Sequence, residues 1–433
     1  MKKPLIMGMG VTGRSISRYL SDQSIHHLVM DSCSSKEANL SSCVDKFLIS
    51  EEVSILKEVS KVFVSPGVDN NNVFLNEAIK REIPISTDID LYLSQTKSKP
   101  ILITGTNGKT SVTRMTEYLL SKFYGEEKVA LGGNIGEPVL DLLLKDIEYS
   151  VIEVSSFQLE YVQEIRSEIS VFLNLGQDHL DRHKTLEEYR RVKERVFLNS
   201  KFLIFQDSTS PLQSNEQGFL NFLSEFKEVN EDIKSLLPKD WPLYETMNLK
   251  ASISIYMALE MLRDNSVNFS KTDFIKENLE KIMTFYNDFS RSPHRFDIFG
   301  TINNVLYIDD SKSTNISSMI NALESSRQIK NGKEVILILG GDAKGQDFQS
   351  IKVPKFKGVK NAIIFGKDSN LIFDSISSKC NCNVVGNLED AVNLSQNIAQ
   401  KGDIILLSPA CSSLDMYENY KERGLHFRSL SGF

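Results

Sequence analysis

Short apolar runs alternate with amphipathic stretches along most of the chain's 433 residues. The alternation begins with "PLIMGMG" (4–10) followed by "RSISRYL", continues through "HHLVMD" and "KVFVSPG", and then places "SVTRMTEYLLSKF" after "PILITG". Such β-then-α alternation is typical of parallel sheets covered by helices, whose ligands bind beyond the carboxyl ends of the strands. The sequence therefore predicts an α/β fold in which functional residues follow strands.

The alternation restarts twice, which indicates three domains. The polar segment "SQTKSKP" at 94–100 precedes the first restart, and "NDFSRSPHRF" at 287–296 precedes the second. A chain of this length also exceeds what one hydrophobic core usually supports. We therefore expect domains at 1–93, 94–290 and 291–433, with the polar, weakly periodic residues 206–245 forming an irregular or helical insertion.

Composition limits the classes of function. The formal net charge is -7 and no long Lys/Arg run offsets it, which argues against a nucleic-acid-binding protein. The five cysteines are widely spread, so we interpret them as reduced thiols. Gly8 and Gly10 interrupt the N-terminal apolar run, which argues against a signal peptide or a membrane span there. We expect a cytoplasmic enzyme without a membrane partner.

The glycine pattern Gly8-x-Gly10-x-x-Gly13 follows the first predicted strand and precedes the first predicted helix. In this context it is the fingerprint of a dinucleotide-binding turn, with Asp31 at the end of the next strand as acceptor for a ribose hydroxyl or a base N–H. The alternative is a glycine turn that only lets the helix and the strand approach closely. The residues alone leave both interpretations open.

The stretch "ILITGTNGKTSVTRM" (101–115) has the strand, loop and helix of a phosphate-binding P-loop. The usual first glycine would fall where the chain has Ile103, so the stretch resembles a variant of the motif. Loop N–H groups and the start of the helix would bind phosphate, and Lys109 would neutralise the β- and γ-phosphates. The hydroxyl of Thr110 would ligate Mg²⁺. The alternative is a Gly-Lys turn without function.

Acidic residues accompany two further predicted strands. Glu153 lies in the apolar run "SVIEVSS", where a carboxylate is costly unless a cation meets it. A second apolar strand ends at Asn174, and Asp178, His179 and Asp181 follow it. Acid and imidazole groups after a strand suit a second Mg²⁺ contact or a substrate-orienting role. The alternative for this second segment is a helix-capping Asp beside a surface His.

Basic and hydroxyl residues complete the candidate set. Lys193 lies on a helix predicted to begin near 186, and its local sequence favours a solvated lysine. Beyond residue 290, the loops that flank the predicted strands contain Arg295, Asp310, Lys312, Thr314 and Lys344. The arginine and the two lysines are suited to binding carboxylates or phosphates. The segment "SPACSSLDMYENYKERG" places small hydroxyl residues before a helix, which suits anion binding. Each basic residue taken alone is more often an exposed side chain.

Together these segments resemble the Mur ligases, cytoplasmic ATP-dependent amide-forming enzymes of peptidoglycan precursor synthesis. The matching segments keep the family's order from residue 8 to residue 427 and are "GMGVTG", "SPG", "TGTNGKTSVT", "GGNIG", "IEVSSFQLE", "DHLDR", "PHRF", "DDSKSTN", "GGDAKG" and "LLSPACSSLD…NYKERGLHF". "SSFQLE" and "SPACSSLD" are the most specific for the D-glutamate-adding branch, as opposed to its siblings and folylpolyglutamate synthase. The resemblance implies a Rossmann-like N-terminal domain, a P-loop ATPase-type central domain and a Rossmann-like C-terminal domain.

The resemblance also implies a role for each group of candidate residues. The UDP-linked substrate would bind to Thr12, Asp31, Gly67, Asn134, Ser155 and Gln158. ATP would bind to Gly105, Thr106, Asn107, Gly108, Lys109, Thr110, Ser111, Asn248, Arg295 and Asp310. D-glutamate would bind to Lys312, Thr314, Lys344, Ser413 and Tyr420. The catalytic residues would be Lys109, Glu153, His179 and Lys193, of which Lys193 matches a lysine that family members carbamylate. Mg²⁺ would be held by Thr110, Glu153, His179 and the carbamylated Lys193.

The implied reaction joins D-glutamate to UDP-N-acetylmuramoyl-L-alanine through an acyl phosphate, in a monomer that uses ATP and Mg²⁺. Four positions depart from the family pattern: Ser32-Cys33 replace Thr-Arg, Ala251 replaces a polar residue on the ATP side, and Tyr420 replaces Phe. Loss of the arginine would remove a cationic contact with the UDP nucleotide. Two alternatives stay open: a sibling ligase for another amino acid, and a catalytically weakened nucleotide-binding or regulatory protein.

Overall fold

The computed structural model describes residues 2–33, 40–49, 51–211, 218–238, 241–264, 270–329 and 334–433. Within these residues the strands form three sheets, in which neighbouring strands are parallel except for one antiparallel pair. No helix in the described ranges has the length and apolar character needed to cross a membrane. The predicted α/β class is confirmed.

The N-terminal sheet contains β1 (Lys3–Met7), β2 (His27–Met30), β3 (Val44–Leu48), β4 (Val59–Val64) and β5 (Ile85–Ser86). The helices of this region are α1 (Val11–Asp22), α2 (Val73–Lys80) and α3 (Asp88–Gln95). The strand order is β3-β2-β1-β4-β5, and Leu5 and Ile6 of the middle strand are fully buried. Such a buried apolar run is typical of a parallel strand that is covered on both faces. The glycine turn at 8–10 therefore lies at the carboxyl end of this strand.

The central sheet contains β6 (Lys99–Thr104), β7 (Val129–Gly133), β8 (Tyr149–Glu153), β9 (Ser167–Phe172), β10 (Ser200–Phe205) and β11 (Gly218–Asn221). The helices along this stretch of chain are α4 (Lys109–Tyr124), α5 (Ser156–Leu159), α6 (Leu180–His183), α7 (Leu186–Glu194), α8 (Asn230–Leu236), α9 (Glu245–Asp264) and α10 (Lys271–Tyr286). The strand order is β11-β10-β9-β6-β8-β7. Because β6 lies between β9 and β8, the segments after these three strands start at one edge of the sheet.

β11 lies within 206–245, where the sequence predicts only an irregular or helical insertion. Its four residues, Gly218–Asn221, are too few to show a strand periodicity in the sequence. The strand forms because it pairs in parallel with β10, from Phe202 opposite Gly218 to Phe205 opposite Asn221. Part of this predicted insertion, 212–217 and 239–240, lies outside the described residues.

The C-terminal sheet contains β12 (Asp297–Ile302), β13 (Val305–Asp309), β14 (Val335–Gly340), β15 (Val359–Phe365), β16 (Cys382–Val384) and β17 (Ile404–Leu407). The helices of this region are α11 (Ile316–Ser326), α12 (Ser369–Ile376), α13 (Leu388–Ile398) and α14 (Tyr420–Leu430). The strand order is β12-β13-β17-β14-β15-β16, with β12 antiparallel to β13. β13, β17 and β14 are adjacent and parallel, so the loops that follow them begin at the same edge.

The chain groups into two compact units. Unit 1 is formed by Met1–Leu175, Glu187–Asn230 and Asn248–Tyr286, and unit 2 by Gly176–Leu186, Glu231–Met247 and Asn287–Phe433. Unit 1 holds the first two sheets, and one hydrophobic cluster includes buried residues of both, among them Ile6 and Leu102. An ion pair of 2.8 Å also connects Arg18 of α1 to Asp141, which lies between β7 and β8 of the central sheet. The domain boundaries near 93 and 290 stay predictions.

Candidate active site

The segment Gly105–Gly108, here called the nucleotide loop, connects β6 to α4 in unit 1. Ile103 is a fully buried residue of β6, so the position of the usual first glycine belongs to the strand. Gly105 and Gly108 have φ values of 155° and 82°. A Cβ atom on Gly108 would lie 2.5 Å from Asn248 Oδ1, so the close approach of the loop to α9 requires glycine. The unusual motif spacing thus reflects where the strand ends.

The ammonium group of Lys109 lies over the nucleotide loop. Its Nζ donates hydrogen bonds to the carbonyl oxygens of Gly105 and Thr106 at 2.8 and 2.9 Å. Lys109 also begins α4, and the half-buried Thr110 and buried Ser111 follow in the first turn. The N–H groups of this turn form the positive end of the helix. The segment therefore combines a cation, a helix N-terminus and a glycine-containing turn, which together suit a polyphosphate.

Glu153 ends β8 directly beside β6, where it pairs with Ile103. Its side chain is 2% exposed, and its Oε1 accepts a hydrogen bond from Nδ2 of the exposed Asn134 at 2.7 Å. Its Oε2 is buried and has no hydrogen-bond partner among the described residues. A buried carboxylate oxygen without a donor is costly, so this atom is suited to a cation. The part of the chain that the structure describes contains no group of three or more His, Cys, Asp or Glu that could hold a metal.

Lys193 is 1% exposed near the end of α7, so the interpretation of a solvated lysine is wrong. Its Nζ donates to Thr104 Oγ1 at 3.3 Å and lies 4.7 Å from the ring centroid of Tyr189. Thr104 is the last residue of β6, immediately before the nucleotide loop. The structure therefore brings Lys193 to the same sheet edge as Glu153, and its role as a metal ligand stays a prediction.

His179 belongs to unit 2, whereas the other predicted metal ligands belong to unit 1. His179 has a φ of 53°, and its backbone N–H donates to Asp178 Oδ1 at 2.9 Å. Asp178 is 5% exposed and meets Lys344 Nζ at 3.6 Å and Asn315 Nδ2 at 3.2 Å. The segment with Asp178 and His179 is thus attached to residues of unit 2, in which Lys344 is predicted to bind D-glutamate.

The residues predicted to bind D-glutamate all lie in unit 2, after β13, β14 and β17. Lys312 Nζ lies 4.2 Å from the ring centroid of Tyr420, so the tyrosine in place of phenylalanine still offers an aromatic face. Ser311 Oγ donates to the backbone oxygen of Tyr420 at 2.8 Å. Ser413 is 4% exposed and Thr314 is half-buried. The structure therefore brings Lys312 and Tyr420 together.

Two residues predicted to bind ATP lie in unit 2, Arg295 before β12 and Asp310 after β13. Arg295 is half-buried, and Asp310 is 6% exposed. Asp310 accepts hydrogen bonds from Ser408 Oγ at 2.8 Å and from Phe296 N at 3.0 Å. Burial nevertheless raises the pKa of Asp310 to about 7. In unit 1, Asn248 is 8% exposed, and Ala251 is fully buried in α9.

Asp31 organises the glycine turn after β1. Its carboxylate is 7% exposed and accepts hydrogen bonds from the N–H groups of Met9 at 2.6 Å and Cys33 at 2.9 Å. A Cβ atom on Gly13 would lie 1.9 Å from the carbonyl oxygen of Gly8. The glycine pattern thus allows α1 to approach the turn after β1 closely, which is compatible with either interpretation of the pattern. A contact of Asp31 with a nucleotide stays a prediction.

The remaining residues predicted to bind the UDP-linked substrate differ in exposure. Thr12 is half-buried and Gly67 is exposed. Gln158 is 2% exposed, and its Oε1 accepts from Ser155 N and Ser155 Oγ at 3.1 Å each, which forms a capping box at the start of α5. Its Nε2 donates to Asp88 Oδ1 at 3.4 Å. The Gln158 amide is therefore already engaged by protein groups.

Three sequence profiles of one enzyme family cover most of the chain. The Mur ligase MurD-like N-terminal domain matches residues 2–87, the Mur ligase middle domain matches 103–219, and the Mur ligase glutamate ligase domain matches 294–411. A relative from Saccharophagus degradans, named "UDP-N-acetylmuramoylalanine--D-glutamate ligase", is 32% identical over 441 residues, which cover 98% of this chain and 96% of the relative. The chain belongs to the Mur ligase family.

Other Mur ligases match the chain over most of its length. A protein of the same name from Aquifex aeolicus is 32% identical over 441 residues, covering 99% of this chain and 98% of the relative. The crystal structure of UDP-N-acetylmuramate-alanine ligase from Thermotoga maritima has a TM-score of 0.54 at 14% identity and covers 99% of both chains. MurF ligase from Thermotoga maritima, solved in complex with ADP, has a TM-score of 0.52 at 13% identity and covers 87% of this chain and 90% of that chain. These structural similarities confirm the predicted three-domain Mur ligase fold.

Arg423 is a residue of this Mur ligase that sequence reasoning does not single out. It is fully buried in α14, where its Nε donates to Ser311 Oγ at 3.1 Å and its Nη2 to Ser311 O at 2.8 Å. Its Nη1 donates to Cys411 O at 3.2 Å. Arg423 therefore joins the loops after β13 and β17, which carry Lys312 and Ser413. In the sequence it stands within "NYKERG", where a charged side chain on a helix is usually exposed.

His294 is a second residue that sequence reasoning misses in this Mur ligase, although the segment "PHRF" contains it. Its Nδ1 lies 2.6 Å from Asp309 Oδ2, and Arg428 Nε donates to the same oxygen at 2.7 Å. Burial acts to raise the pKa of Asp309, but the hydrogen bonds from His294 and Arg428 hold it below its usual value. These hydrogen bonds attach the segment with His294 and Arg295 to β13, which contains Asp309.

Proposed function

We propose that this Mur ligase joins D-glutamate to UDP-N-acetylmuramoyl-L-alanine with the conversion of ATP to ADP and phosphate, in peptidoglycan precursor synthesis. The observation that carries the proposal is the sheet edge of unit 1, where the nucleotide loop and Lys109 lie next to the strand that ends in the buried Glu153. Curated relatives matched over nearly full length carry the name of this D-glutamate ligase, which supports the choice of substrates. The ADP in the solved MurF ligase supports the choice of nucleotide.

The reaction must activate a carboxylate, because an amine cannot expel an oxide ion at a useful rate. In the proposed mechanism the L-alanyl carboxylate attacks the γ-phosphate of ATP and ADP leaves. The D-glutamate amine then attacks the resulting acyl phosphate, and phosphate leaves as the amide forms. The ammonium of Lys109 and the N–H groups at the start of α4 stabilise the charge that spreads over the phosphate oxygens.

Mg²⁺ is the metal that the family implies, and the residues present fit it. Glu153 offers a buried anionic oxygen for which the described residues provide no hydrogen-bond donor. Carboxylate and hydroxyl oxygens are the protein ligands that Mg²⁺ prefers, so Glu153 and Thr110 would hold the ion in unit 1. His179 is assigned to the metal or the substrate on the basis of the family resemblance alone. When bound, Mg²⁺ would neutralise part of the charge of the ATP phosphates.

Lys193 is assigned to the same metal in a carbamylated form, as the family resemblance implies. The lysine is 1% exposed beside Thr104, and carbamylation would replace a buried cation by a buried anion. ¹³C NMR of the folded protein in ¹³C-labelled bicarbonate should detect the carbamate carbon, which is released as CO2 when the protein is unfolded. Lys193→Arg keeps a positive charge and cannot be carbamylated, so undiminished ligation by this variant would contradict the assignment.

The D-glutamate assignment rests on charge and position. Lys312 follows β13 and Lys344 follows β14, the two strands on either side of β17 in the sheet of unit 2, and D-glutamate carries two carboxylates. Thr314, Ser413 and Tyr420 lie after strands of the same sheet and complete the predicted contacts.

The nucleotide and UDP assignments complete the proposal. Asn248, Arg295 and Asp310 stay assigned to ATP, with the nucleotide loop and the first turn of α4. The UDP-linked substrate is assigned to Thr12, Asp31, Gly67, Asn134, Ser155 and Gln158. The exposed Cys33 in place of arginine predicts a weaker cationic contact with the nucleotide of this substrate. A monomer in the cytoplasm, where ATP is available, completes the proposal.

The direct test is to incubate the purified protein with ATP, Mg²⁺, UDP-N-acetylmuramoyl-L-alanine and D-glutamate and to detect the UDP-muramoyl-dipeptide by mass spectrometry. L-glutamate, diaminopimelate and L-lysine in place of D-glutamate distinguish the sibling ligases. A preference for any of these would contradict the D-glutamate assignment. Lys109→Ala should lose ligation, and no product from the unaltered chain would favour the nucleotide-binding or regulatory alternative.

A further inference from the structure

Asn174 connects the end of β9 to the nucleotide loop by three hydrogen bonds. The N–H of Asn107 donates to Asn174 Oδ1 at 2.8 Å, and Asn174 Nδ2 donates to Asn107 O at 2.9 Å. The N–H of Thr106 donates to the backbone oxygen of Asn174 at 2.9 Å. The side-chain amide of Asn174 therefore pairs with the backbone of Asn107 as a neighbouring strand would.

These bonds continue the pairing of β6 with β9 beyond the ends of the two strands. The last strand pair is Thr104 with Phe172, and the N–H of Leu173 then donates to Thr104 O at 2.9 Å. A Cβ atom on Gly105 would lie 3.0 Å from Leu173 Cβ and 3.4 Å from Asn174 N. Glycine at position 105 thus lets the loop lie directly against the residues that follow β9. The nucleotide loop is attached to the sheet as well as to its own helix.

The pairing determines which N–H groups of the nucleotide loop donate to a protein acceptor. Those of Thr106 and Asn107 are donated to Asn174. The N–H groups at the start of α4, from Gly108 onward, belong to the helix end whose first N–H groups have no partner within the helix. A phosphate is bound by such N–H groups when they converge on one point. The orientation of Asn107 sets where the first of them points.

We propose that Asn174 is a positioning residue for the β- and γ-phosphates of the nucleotide. It acts through Thr106 and Asn107 and has no direct contact with the nucleotide in this proposal. Loss of its amide frees the N–H and the carbonyl of Asn107, so the loop adopts other conformations and binds phosphate more weakly. The inference rests on the proposed nucleotide binding and adds a residue that the family resemblance does not assign.

The test compares the dissociation constants of ADP and AMP, measured by calorimetry on the full chain. AMP is the internal reference because it lacks the β-phosphate. The variants are Asn174→Ala and Asn174→Asp, where the aspartate keeps an acceptor for the N–H of Asn107 but loses the donor. Ser170→Ala is the matched control, since this fully buried serine of β9 donates to Val196 O at 2.6 Å, away from the loop.

Asn174→Ala should raise the Kd of ADP about tenfold or more and the Kd of AMP less than about twofold. The Kd of ADP for Asn174→Asp should lie between the values for the alanine variant and the unaltered chain. This variant also tests the proposal if the alanine variant does not fold. Ser170→Ala should leave the ratio of the two constants unchanged. An unchanged ratio in both Asn174 variants, or an equal change in Ser170→Ala, would overturn the proposal.

The proposed function is tested separately by the dipeptide product of the unaltered chain. If that chain binds ADP but forms no dipeptide, the ligase assignment fails and the ADP-to-AMP comparison still decides the role of Asn174. If the unaltered chain does not bind ADP, both proposals fail. If ligation occurs and the Asn174 variants bind ADP normally, only the role of Asn174 is wrong.

Discussion

Gly108→Ala should damage the nucleotide loop by two separable effects. Gly108 has a φ of 82°, a conformation that costs an alanine about 1–2 kcal/mol. The added Cβ would lie 2.5 Å from Asn248 Oδ1, so the Asn248 side chain must leave its position. Moving a side chain off its preferred rotamer adds about 1 kcal/mol. We therefore expect a total destabilisation of about 2–3 kcal/mol and a clear loss of ADP affinity, because Asn248 is also assigned to ATP.

The two effects can be separated in one variant series. In Gly108→Ala/Asn248→Ala the colliding amide is absent, so about 1 kcal/mol of stability should return while the backbone cost remains. Gly125→Ala is the matched control, because Gly125 follows α4 with a φ of 105° and the three atoms nearest to its added Cβ belong to the flexible Glu127 side chain. Unfolding in urea reports stability, and calorimetry reports ADP affinity. Normal ADP affinity of Gly108→Ala, or an equal affinity loss in Gly125→Ala, would refute the reasoning.

Three further predictions concern other parts of the site. Glu153→Gln keeps the size of the side chain but removes its charge, so the initial rate of ligation in the presence of Mg²⁺ should fall about a hundredfold or more. The melting temperature should change little. A normal rate of ligation would rule out a metal role for Glu153. Burial raises the pKa of Asp310 from 3.8 to about 7, so ionisation of this residue lowers the free energy of unfolding as the pH rises from about 4 to 7. The urea midpoint of Asp310→Asn should therefore decline less steeply over that pH range than the midpoint of the unaltered chain. Identical slopes would contradict the pKa shift. Arg423→Lys leaves one donor nitrogen where Nε, Nη1 and Nη2 of the arginine donate to Ser311 and Cys411, so the KM for D-glutamate should rise about tenfold while the KM for ATP changes little. A larger change for ATP would place Arg423 elsewhere in the mechanism.

The sequence predicts those parts of the site that depend on local periodicity. An apolar run followed by a glycine-containing turn and a helix is sufficient to locate Gly105 and Lys109. Glu153 is also predictable, because a carboxylate in an apolar strand requires a cation or donors. The order of strands in each sheet is not local information, so the adjacency of β6, β8 and β9 emerges only from the structure.

Other residues are misjudged because their surroundings come from distant segments. Lys193 has a polar local sequence, yet its ammonium group donates a hydrogen bond to Thr104 at the end of β6, which is 89 positions away. Arg423 resembles a solvated helix residue, but its partner Ser311 is 112 positions away. Asn174 is visible in the sequence only as the end of a strand, since its partner Asn107 lies 67 positions earlier. No periodicity within a helix or strand encodes such pairings.

The division of the chain into units has a consequence for its synthesis. The chain passes from one unit to the other after Leu175, Leu186, Asn230, Met247 and Tyr286. On the ribosome, Gly176–Leu186 and Glu231–Met247 emerge long before the C-terminal sheet that completes their unit has been made. If the domains fold strictly one after another from the N-terminus, neither segment can therefore reach its native contacts until the C-terminal sheet has been synthesised. Nascent chains that end shortly after Tyr286 should accordingly be preferred substrates for chaperones and proteases at these two segments.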